Sequence, residues 1–259
     1  MAPCLTFDRV NILGIGVHAL SMQQTLNQMT CWIEQRLPNY MIVCPVSTIM
    51  AARRNPTLYE TVRHAGLVTP DGMPLVFLSR WLGYKHVTRV YGPDLMLEFS
   101  QLSAKKGYRN YYFGGAEGIP EKLADNLTSR FRGLQVVGTH SPPFHPLTLE
   151  EEQDIVDQIN ATNPDIVWVC LGSPKQELWV AKFRDRLNAP ILIGVGSAFD
   201  FLSGRKPQAP RWMQRSALEW LFRLLTEPRR LWRRYLINNP LFMFLVTLQL
   251  LKIRRFPLD

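Results

Sequence analysis

Polar residues that could bind a phosphate group follow an apolar stretch near the middle of the chain. Asp165–Leu171 is rich in Val and Ile, a composition typical of a strand buried in a parallel sheet, and it ends at Gly172. Ser173 and Gln176 then have the spacing of a helix capping box, with Lys175 in the first turn. Free backbone N–H groups at such a helix start, together with a lysine, suit a phosphate or a diphosphate. An ordinary capped helix has the same pattern, so the spacing leaves both interpretations open.

A carboxylate with possible base chemistry lies in the segment Thr69–Pro74, TPDGMP. Asp71 follows a short apolar step at Leu67–Val68 and precedes an apolar helical run, Leu75–Leu82, so its side chain is expected at the edge of a cleft. A carboxylate in that position can act as a general base if partial burial moves its pKa toward neutrality. An Asp in a Pro-Asp-Gly turn more often shapes the turn or caps the next helix, and this alternative stays open.

Other residues with binding chemistry lie at predicted strand ends and helix starts. Glycines at strand ends let the backbone approach a ligand closely. These candidate substrate-binding residues are Arg89, Gly114, Gly115, Gly172, Ser173, Lys175, Gly196 and Asp200.

The first glycine-rich segment allows a different function. Gly14 to Ala19 read GIGVHA after a predicted strand, Val10–Ile15, which is similar to a dinucleotide-binding fingerprint. That fingerprint requires an acidic residue at the end of the next strand. The next strand, Tyr40–Cys44, is followed by Pro-Val-Ser, so we interpret the glycines as a tight strand exit. An NAD-dependent oxidoreductase is therefore the weaker alternative.

Neither a metal site nor a cofactor is predicted. The chain has no Asp-x-Asp motif, and His140 and His145 share a loop without further ligands at metal-binding spacing.

The elements that must position these residues alternate between strands and helices up to about residue 200. This order predicts an α/β fold with a doubly wound, mostly parallel, Rossmann-like sheet and helices on both faces. The 259 residues, of which 46% are hydrophobic, suffice for one large domain with an appendage. We expect a catalytic domain over 1–204 and a helical, membrane-associating appendage over 205–259.

The cysteines and the N-terminal residues indicate a cytosolic protein. Cys4, Cys31, Cys44 and Cys170 lie far apart with no Cys-x-x-Cys pair, and we expect all four to be reduced. No charged leader or apolar stretch at the start of the chain marks export.

The positive charge is concentrated in the last fifth of the chain. The whole chain carries +9, whereas Arg205–Arg255 has twelve Lys/Arg and two acidic residues, a net +10. The remainder therefore has 18 basic and 19 acidic residues, a net −1. This asymmetry predicts that the tail meets an anionic partner.

The apolar residues of the tail favour a membrane surface as that partner. Trp and Leu alternate with Arg over Arg211–Leu236, which is typical of an interfacial helix. Leu241–Leu251 is apolar but too short to span a bilayer, so we expect it to rest against the interface. A nucleic-acid-binding module is the alternative, weaker because an apolar run does not help to bind a phosphate backbone.

The chain resembles the WecG/TagA/CpsF glycosyltransferase family over nearly its whole length. The matching segments are Thr69–Val76 (TPDGMPLV), Arg89–Met96 (RVYGPDLM), Phe113–Gly118 (FGGAEG), Leu171–Glu177 (LGSPKQE), Gly194–Gly204 (GVGSAFDFLSG) and Ala209–Tyr235. The resemblance implies an inverting, metal-independent transferase. Such an enzyme moves a sugar from a UDP-sugar to an undecaprenyl-diphosphate-linked sugar during assembly of surface polysaccharides or teichoic-acid-type polymers. It would act as a peripheral protein on the cytoplasmic face of the membrane.

The resemblance also assigns roles to individual residues. It puts the catalytic base at Asp71 and a functional glutamine at Gln176, and we expect the two to share one hollow. It puts the arginines that hold the acceptor diphosphate among Arg223, Arg230 and Arg233.

One segment departs from the family pattern. Val43 and Pro45 occupy the place of a Thr-x-Asn segment found in many members, and Thr48 is the nearest hydroxyl. The identity of the sugar and self-association of the chain stay open.

Overall fold

Strands form the framework of the molecule. The structure is a computed structural model that describes residues 4–143 and 145–258. Its strands are β1 (Arg9–Ile12), β2 (Ile15–His18), β3 (Asn39–Cys44), β4 (Leu67–Pro70), β5 (Arg109–Gly114), β6 (Gln135–His140), β7 (Ile166–Cys170) and β8 (Ile191–Gly194). β1 and β2 form an antiparallel pair, and the other six form one sheet in the order β4-β3-β8-β7-β5-β6. The pairs β3–β8, β8–β7, β7–β5 and β5–β6 are parallel. The predicted α/β fold with a mostly parallel, Rossmann-like sheet is confirmed.

Helices alternate with these strands, as the sequence pattern predicts. They are α1 (Met22–Glu34), α2 (Val46–Ala52), α3 (Pro56–Arg63), α4 (Met73–Trp81), α5 (Gly92–Lys106), α6 (Ile119–Arg130), α7 (Leu149–Ala161), α8 (Lys175–Phe183), α9 (Ala198–Leu202), α10 (Arg211–Arg215), α11 (Glu219–Thr226), α12 (Pro228–Trp232) and α13 (Asn238–Leu250). A π-helical turn, Arg233–Ile237, connects the last two. Side-chain caps fix some of the starts: Thr148 and Glu151 form a capping box at the start of α7.

The chain divides into two compact units. The first comprises Gln23–Ile42 and Gly92–Pro207 with the described residues up to Leu5. The second comprises Thr6–Met22, Val43–Tyr91 and the C-terminal segment from Gln208. The division into a catalytic domain, 1–204, and an appendage, 205–259, stays a prediction.

The first unit is built around β7, whose residues Ile166–Val169 are completely buried. Val and Ile fit this position because a parallel strand buried on both faces needs apolar side chains throughout. Trp168 has one polar atom, and its Nε1 donates a hydrogen bond to Asn110 Oδ1 at 3.0 Å. This bond satisfies two polar groups that burial would otherwise leave unpaired.

A disulfide in this unit contradicts the prediction of four reduced cysteines. Cys4 and Cys31 are bonded through their Sγ atoms, with their Cα atoms 5.7 Å apart. The two cysteines are 27 residues apart in the sequence, and Cys31 lies on α1. This pairing left no sign in the sequence because α1 meets the N-terminal segment only in the folded chain. Cys44 and Cys170 are free thiols, as predicted.

The second unit joins the start of the chain to its end. Gln249 on α13 accepts a hydrogen bond from Leu13 N at 2.8 Å and donates one to Asn11 O at 2.9 Å. The Asn11 side chain donates to Phe256 O at 2.7 Å. The C-terminal segment also buries apolar side chains in this unit, namely Leu231, Tyr235, Phe242, Leu245 and Val246. The tail is therefore part of the packed structure of this unit.

The predicted single strand Val10–Ile15 is wrong, because the chain turns back at Leu13 and Gly14. Both residues have positive φ, 55° and 85°, and the Asn11 side chain accepts a hydrogen bond from Gly14 N at 2.9 Å. Two central residues with positive φ are typical of a tight antiparallel hairpin. The GIGVHA segment therefore lies in β2 and opens no helix, which removes the basis for a dinucleotide fingerprint.

Among the residues that the structure covers, no helix combines the length and the apolar content needed to cross a bilayer.

Candidate active site

Asp71 lies directly after β4, where backbone hydrogen bonds fix its position. Its N–H donates to Cys44 O at 3.1 Å, and Val90 N donates to Pro70 O at 2.9 Å. The next helix, α4, has Gly72 as its N-cap residue and no side-chain cap. Asp71 thus does not cap this helix, and its carboxylate is available for other chemistry.

Arg89 connects this carboxylate to the C-terminal segment. Its Nε donates to Asp71 O at 2.5 Å, and its Nη2 lies 2.6 Å from Glu219 Oε2 and 3.5 Å from Asp71 Oδ1. Its guanidinium also stacks over the Tyr91 ring, 4.0 Å from the centroid. Arg89 therefore makes its close ion pair with Glu219 and only a long one with Asp71.

The surroundings of Asp71 change its acidity. Only 20% of its side chain is exposed. Burial raises the pKa of Asp71 to about 6; Arg89 opposes this rise, Glu219 adds to it, and Arg223 and Arg234 also oppose it. A carboxylate with a pKa near 6 is largely ionised at neutral pH and is still basic enough to accept a proton in a reaction.

A hollow with about 650 Å³ of empty space, including the part open to solvent, contains this carboxylate. It is lined by Pro45, Val46, Ser47, Asp71, Gly72, Met73, Pro74, Arg89, Gln214, Ala217, Glu219, Trp220, Arg223, Arg234, Tyr235 and Asn239. Three of these residues are arginines. The planar guanidinium group of an arginine can bind a phosphate through two parallel hydrogen bonds. The hollow therefore combines two carboxylates, those of Asp71 and Glu219, with the three arginines.

Other arginines of the tail lie outside this lining. Arg230 is exposed and pairs with Glu227 at 2.8 Å, and Arg233 is exposed with its guanidinium 5.2 Å from the Trp232 ring centroid. Arg223 is the one residue of the three predicted acceptor-binding arginines that lines the hollow. Arg234 also lines it and was not singled out by the sequence.

The hydroxyl that lines this hollow from the start of α2 belongs to Ser47. Thr48, the predicted substrate-binding hydroxyl, is completely buried and does not line the hollow. The Ser47 Oγ is buried and has no hydrogen-bond partner among the described residues. Neighbouring positions at the start of α2 point to different sides, which sequence alone does not resolve.

The first unit contains a second group of predicted site residues, at strand ends. β5, β7 and β8 are parallel neighbours, so the residues that follow them meet at one edge of the sheet. These residues are Gly114, Gly115, Gly172, Ser173, Gly196 and Asp200. Gly115 N donates to Cys170 O at 2.7 Å, which holds two of the strand ends together. The predicted glycine-rich strand exits are therefore neighbours.

Gln176 belongs to this group. A Cβ atom on Gly194 would lie 2.9 Å from Gln176 Cγ, so the glycine makes room for this side chain. Gln176 is only 5% exposed, and its Oε1 has no hydrogen-bond partner among the described residues. A buried amide oxygen without a partner is costly, which is consistent with a ligand that donates a hydrogen bond to it.

The start of α8 differs from the prediction. The Ser173–Pro174 peptide bond is cis, α8 begins at Lys175, and no side chain caps it. The expected capping box of Ser173 and Gln176 is therefore wrong, since Gln176 is directed toward Gly194 and Gly196 instead. Gly172, Ser173 and Lys175 are exposed, so the start of this helix is open to an anion.

Asp200 lies on α9 and is already paired with cations. Its carboxylate is 3.4 Å from Arg205 Nη1 and 3.0 Å from Lys206 Nζ. Asp71 belongs to the second unit and Gln176 to the first, and their sharing of one hollow stays a prediction. Within the described part of the chain, no group of three or more His, Cys, Asp or Glu side chains is arranged to hold a metal ion.

Comparisons with known proteins show the family of the chain. The profile of the Glycosyl transferase WecG/TagA/CpsF family matches residues 10–256. A protein of Bacillus spizizenii (strain ATCC 23059 / NRRL B-14472 / W23) is 29% identical over 80% of this chain and 78% of its own length. Proteins of Bacillus subtilis (strain 168) and Staphylococcus aureus (strain NCTC 8325 / PS 47) are 27% and 26% identical. They cover 83% and 95% of this chain, and 84% and 95% of their own lengths.

All three relatives carry the name N-acetylglucosaminyldiphosphoundecaprenol N-acetyl-beta-D-mannosaminyltransferase. Because the family profile spans almost the whole sequence, the chain belongs to the WecG/TagA/CpsF family of glycosyl transferases.

Proposed function

We propose that this enzyme transfers a sugar from a UDP-sugar to a sugar carried on undecaprenyl diphosphate, with inversion at the anomeric carbon and without a metal ion. The names of the relatives suggest N-acetylmannosamine as the first sugar to test and N-acetylglucosaminyl-diphospho-undecaprenol as the first acceptor. The product would enter a cell-envelope polymer, and the enzyme would work as a peripheral protein on the inner face of the membrane.

The observation that carries this proposal is the ionisable carboxylate of Asp71 in a hollow lined by arginines. An inverting transfer requires one base to take the proton of the acceptor hydroxyl. A lipid diphosphate requires cations close to that base, and arginines bind it without a metal. Arg89, Arg223 and Arg234 supply such cations in the same hollow.

In the proposed reaction, the acceptor hydroxyl oxygen attacks the anomeric carbon of the donor sugar. The bond between that carbon and the β-phosphate oxygen breaks, and UDP leaves with the bonding electrons. Asp71 takes the hydroxyl proton as the new bond forms. Its pKa of about 6 keeps it ionised before the reaction at neutral pH.

The strand ends of the first unit are proposed to bind the donor. The exposed start of α8 with Lys175 would take the negative charge of the departing diphosphate. Gln176 has a buried amide oxygen ready to accept a hydrogen bond, and Asp200 lies after the neighbouring strand. Gly172 leaves space for a ligand close to the backbone, whereas Gly114 and Gly196 make room for Cys170 and Gln176.

The C-terminal segment is proposed to bring the enzyme to its lipid acceptor. The stretch Arg205–Arg255 carries a net charge of +10, which favours an anionic membrane surface, and apolar side chains such as Trp212, Leu225 and Phe244 are exposed on it. This segment also supplies Arg223 and Arg234 to the hollow, so membrane attachment and acceptor binding would involve the same element.

The test is a transfer assay with the full chain, the lipid-linked acceptor, and a panel of UDP-sugars with and without EDTA. We expect turnover with one donor sugar, a product of inverted anomeric configuration by NMR, and the same rate in EDTA. Asp71→Asn should reduce kcat by about a hundredfold or more, with unchanged thermal unfolding as the control for folding. Near-normal transfer by this variant would remove Asp71 from the role of base.

A further inference from the structure

Helix α4 exposes three large apolar side chains on the surface of the second unit. Phe77 is 51% exposed, Trp81 67% and Leu82 41%. Phe77 and Trp81 are four residues apart and so lie on one face of the helix, while Leu75 and Val76 are buried. We call Phe77, Trp81 and Leu82 the α4 ridge. Large apolar side chains grouped on a surface mark a site of interaction.

The stretch of sequence that contains the ridge carries only positive charge. Between Gly72 and Pro93 the chain has no Asp or Glu, whereas Arg80 and Lys85 are exposed. A tryptophan with basic neighbours is typical of helices that lie at the interface of an anionic membrane. A second copy of the chain fits less well, because a two-fold contact through this ridge would bring equal charges together.

The position of the ridge relative to the base is the decisive point. The first turn of α4, with Gly72, Met73 and Pro74, lines the hollow that contains Asp71. Phe77 lies four residues after Met73, the first residue of α4, which corresponds to about 6 Å along the helix axis. The apolar face of an interfacial helix is buried by about 5–10 Å, at the boundary between the lipid head groups and the acyl chains. Because the first turn of the same helix lines the hollow, a ridge in this layer would hold the hollow close to the head groups, where the diphosphate of a membrane-borne acceptor lies.

We propose that the α4 ridge is a second membrane-contacting surface, which inserts into the head-group region and sets the height of the active site above the bilayer. The inference rests on the proposed function, since it assumes a lipid-linked acceptor. It differs from that function in assigning part of the membrane contact to the body of the protein, outside the C-terminal segment.

The first experiment measures binding of the full chain to vesicles of phosphatidylcholine with phosphatidylglycerol. The double variant F77S/W81S removes two apolar side chains without changing the net charge. We expect its dissociation constant to be at least about tenfold higher than that of the unmodified chain, since two large apolar groups no longer leave water. The control is L149S, which removes an exposed apolar side chain that lies outside the ridge. This variant should bind vesicles as the unmodified chain does.

A conservative variant and an activity assay complete the test. F77L/W81F should restore vesicle binding to within about threefold, because it keeps both positions apolar. With acceptor in vesicles, F77S/W81S should show a KM about tenfold higher or more, whereas kcat/KM with a water-soluble short-chain acceptor should be unchanged. Loss of turnover by the unmodified chain with both acceptors would instead contradict the proposed function.

Two results would overturn the inference. One is vesicle binding by F77S/W81S within about twofold of the unmodified chain, a change too small for the loss of two inserted side chains. The other is a dimer of the unmodified chain in sedimentation velocity that F77S/W81S converts to a monomer without loss of vesicle binding. That second result would show that the ridge joins two copies.

Discussion

At the scale of single residues, the proposed role of Asp71 as the base links its acidity to the pH range in which the enzyme works. Because burial raises its pKa to about 6, Asp71 is protonated below that pH and cannot accept the hydroxyl proton. We expect kcat/KM to fall about tenfold per pH unit below about 6 and to level off above it. A pH–rate profile with the water-soluble acceptor checks this, and an acid limb near 4 would contradict the raised pKa.

Glu219 should tune that acidity. Its carboxylate holds Arg89 at 2.6 Å and adds to the rise in the pKa of Asp71. Glu219→Gln removes one negative charge and releases Arg89 toward Asp71, so the pKa of Asp71 should fall. The acid limb of the pH–rate profile should then move to lower pH, and kcat/KM at neutral pH should decrease modestly because the base is weaker.

The matched control for this change is Glu227→Gln. Glu227 lies on the same C-terminal segment and pairs with Arg230, and it does not line the hollow. Its loss should leave the acid limb where it is. Equal profiles for both variants would show that Glu219 has no influence on the base.

The sequence predicted part of this site for an identifiable reason. Asp71 lies on a turn between an apolar step and an apolar helix, and such turns are visible in a sequence. Glu219 and Arg89 are 130 residues apart, and their pairing depends on how the C-terminal segment packs. Arg234 and Ser47 were missed because the direction of a side chain on a short helix is set by tertiary contacts.

At the scale of elements, alternation of strands and helices was predicted well, and the errors have local causes. A glycine turn between two apolar runs has the same sequence signature in a hairpin and at a strand exit, so the segment after Gly14 was interpreted as a strand exit and β2 was missed. A hairpin differs from a strand exit in the antiparallel pairing of its two strands, and this pairing is visible only in the folded chain. The start of α8 was misjudged because Pro174 is the N-cap residue of this helix and no side chain caps it.

The hairpin and α13 should depend on each other for stability. Gln249 makes hydrogen bonds to both Leu13 N and Asn11 O, so Gln249→Ala would leave two partly buried backbone groups without these partners. We expect a loss of about 1–3 kcal/mol in the free energy of unfolding, measured by urea denaturation. Gln101→Ala, on the exposed face of α5, is the control and should change this free energy by less than about 0.5 kcal/mol.

At the scale of the whole molecule, the proposed function gives the C-terminal segment two tasks, which would fall to different arginines. Arg223 and Arg234 line the hollow, whereas Arg229, Arg230 and Arg233 are exposed. The proposed function therefore separates acceptor binding from attraction to the membrane. Removal of the entire segment would not separate them, because it would also expose the core residues that the segment buries.

The triple variant R229Q/R230Q/R233Q tests the membrane task alone. Each arginine near an anionic surface contributes about 1 kcal/mol, so three should weaken binding to phosphatidylglycerol-containing vesicles by about a hundredfold at low salt. The difference should shrink as salt screens the charges. Turnover with the water-soluble acceptor should stay normal, since none of the three lines the hollow.

The control K105Q/K122Q/R132Q removes the same charge from exposed positions of the first unit. If overall charge alone attracted the protein to the membrane, both triple variants would weaken vesicle binding equally, and the special role of the tail would be wrong. If the tail is the membrane-binding element, only the first variant should lose binding. The uneven charge of the sequence would then orient the enzyme, so that it approaches the bilayer with the segment that also supplies arginines to the proposed active site.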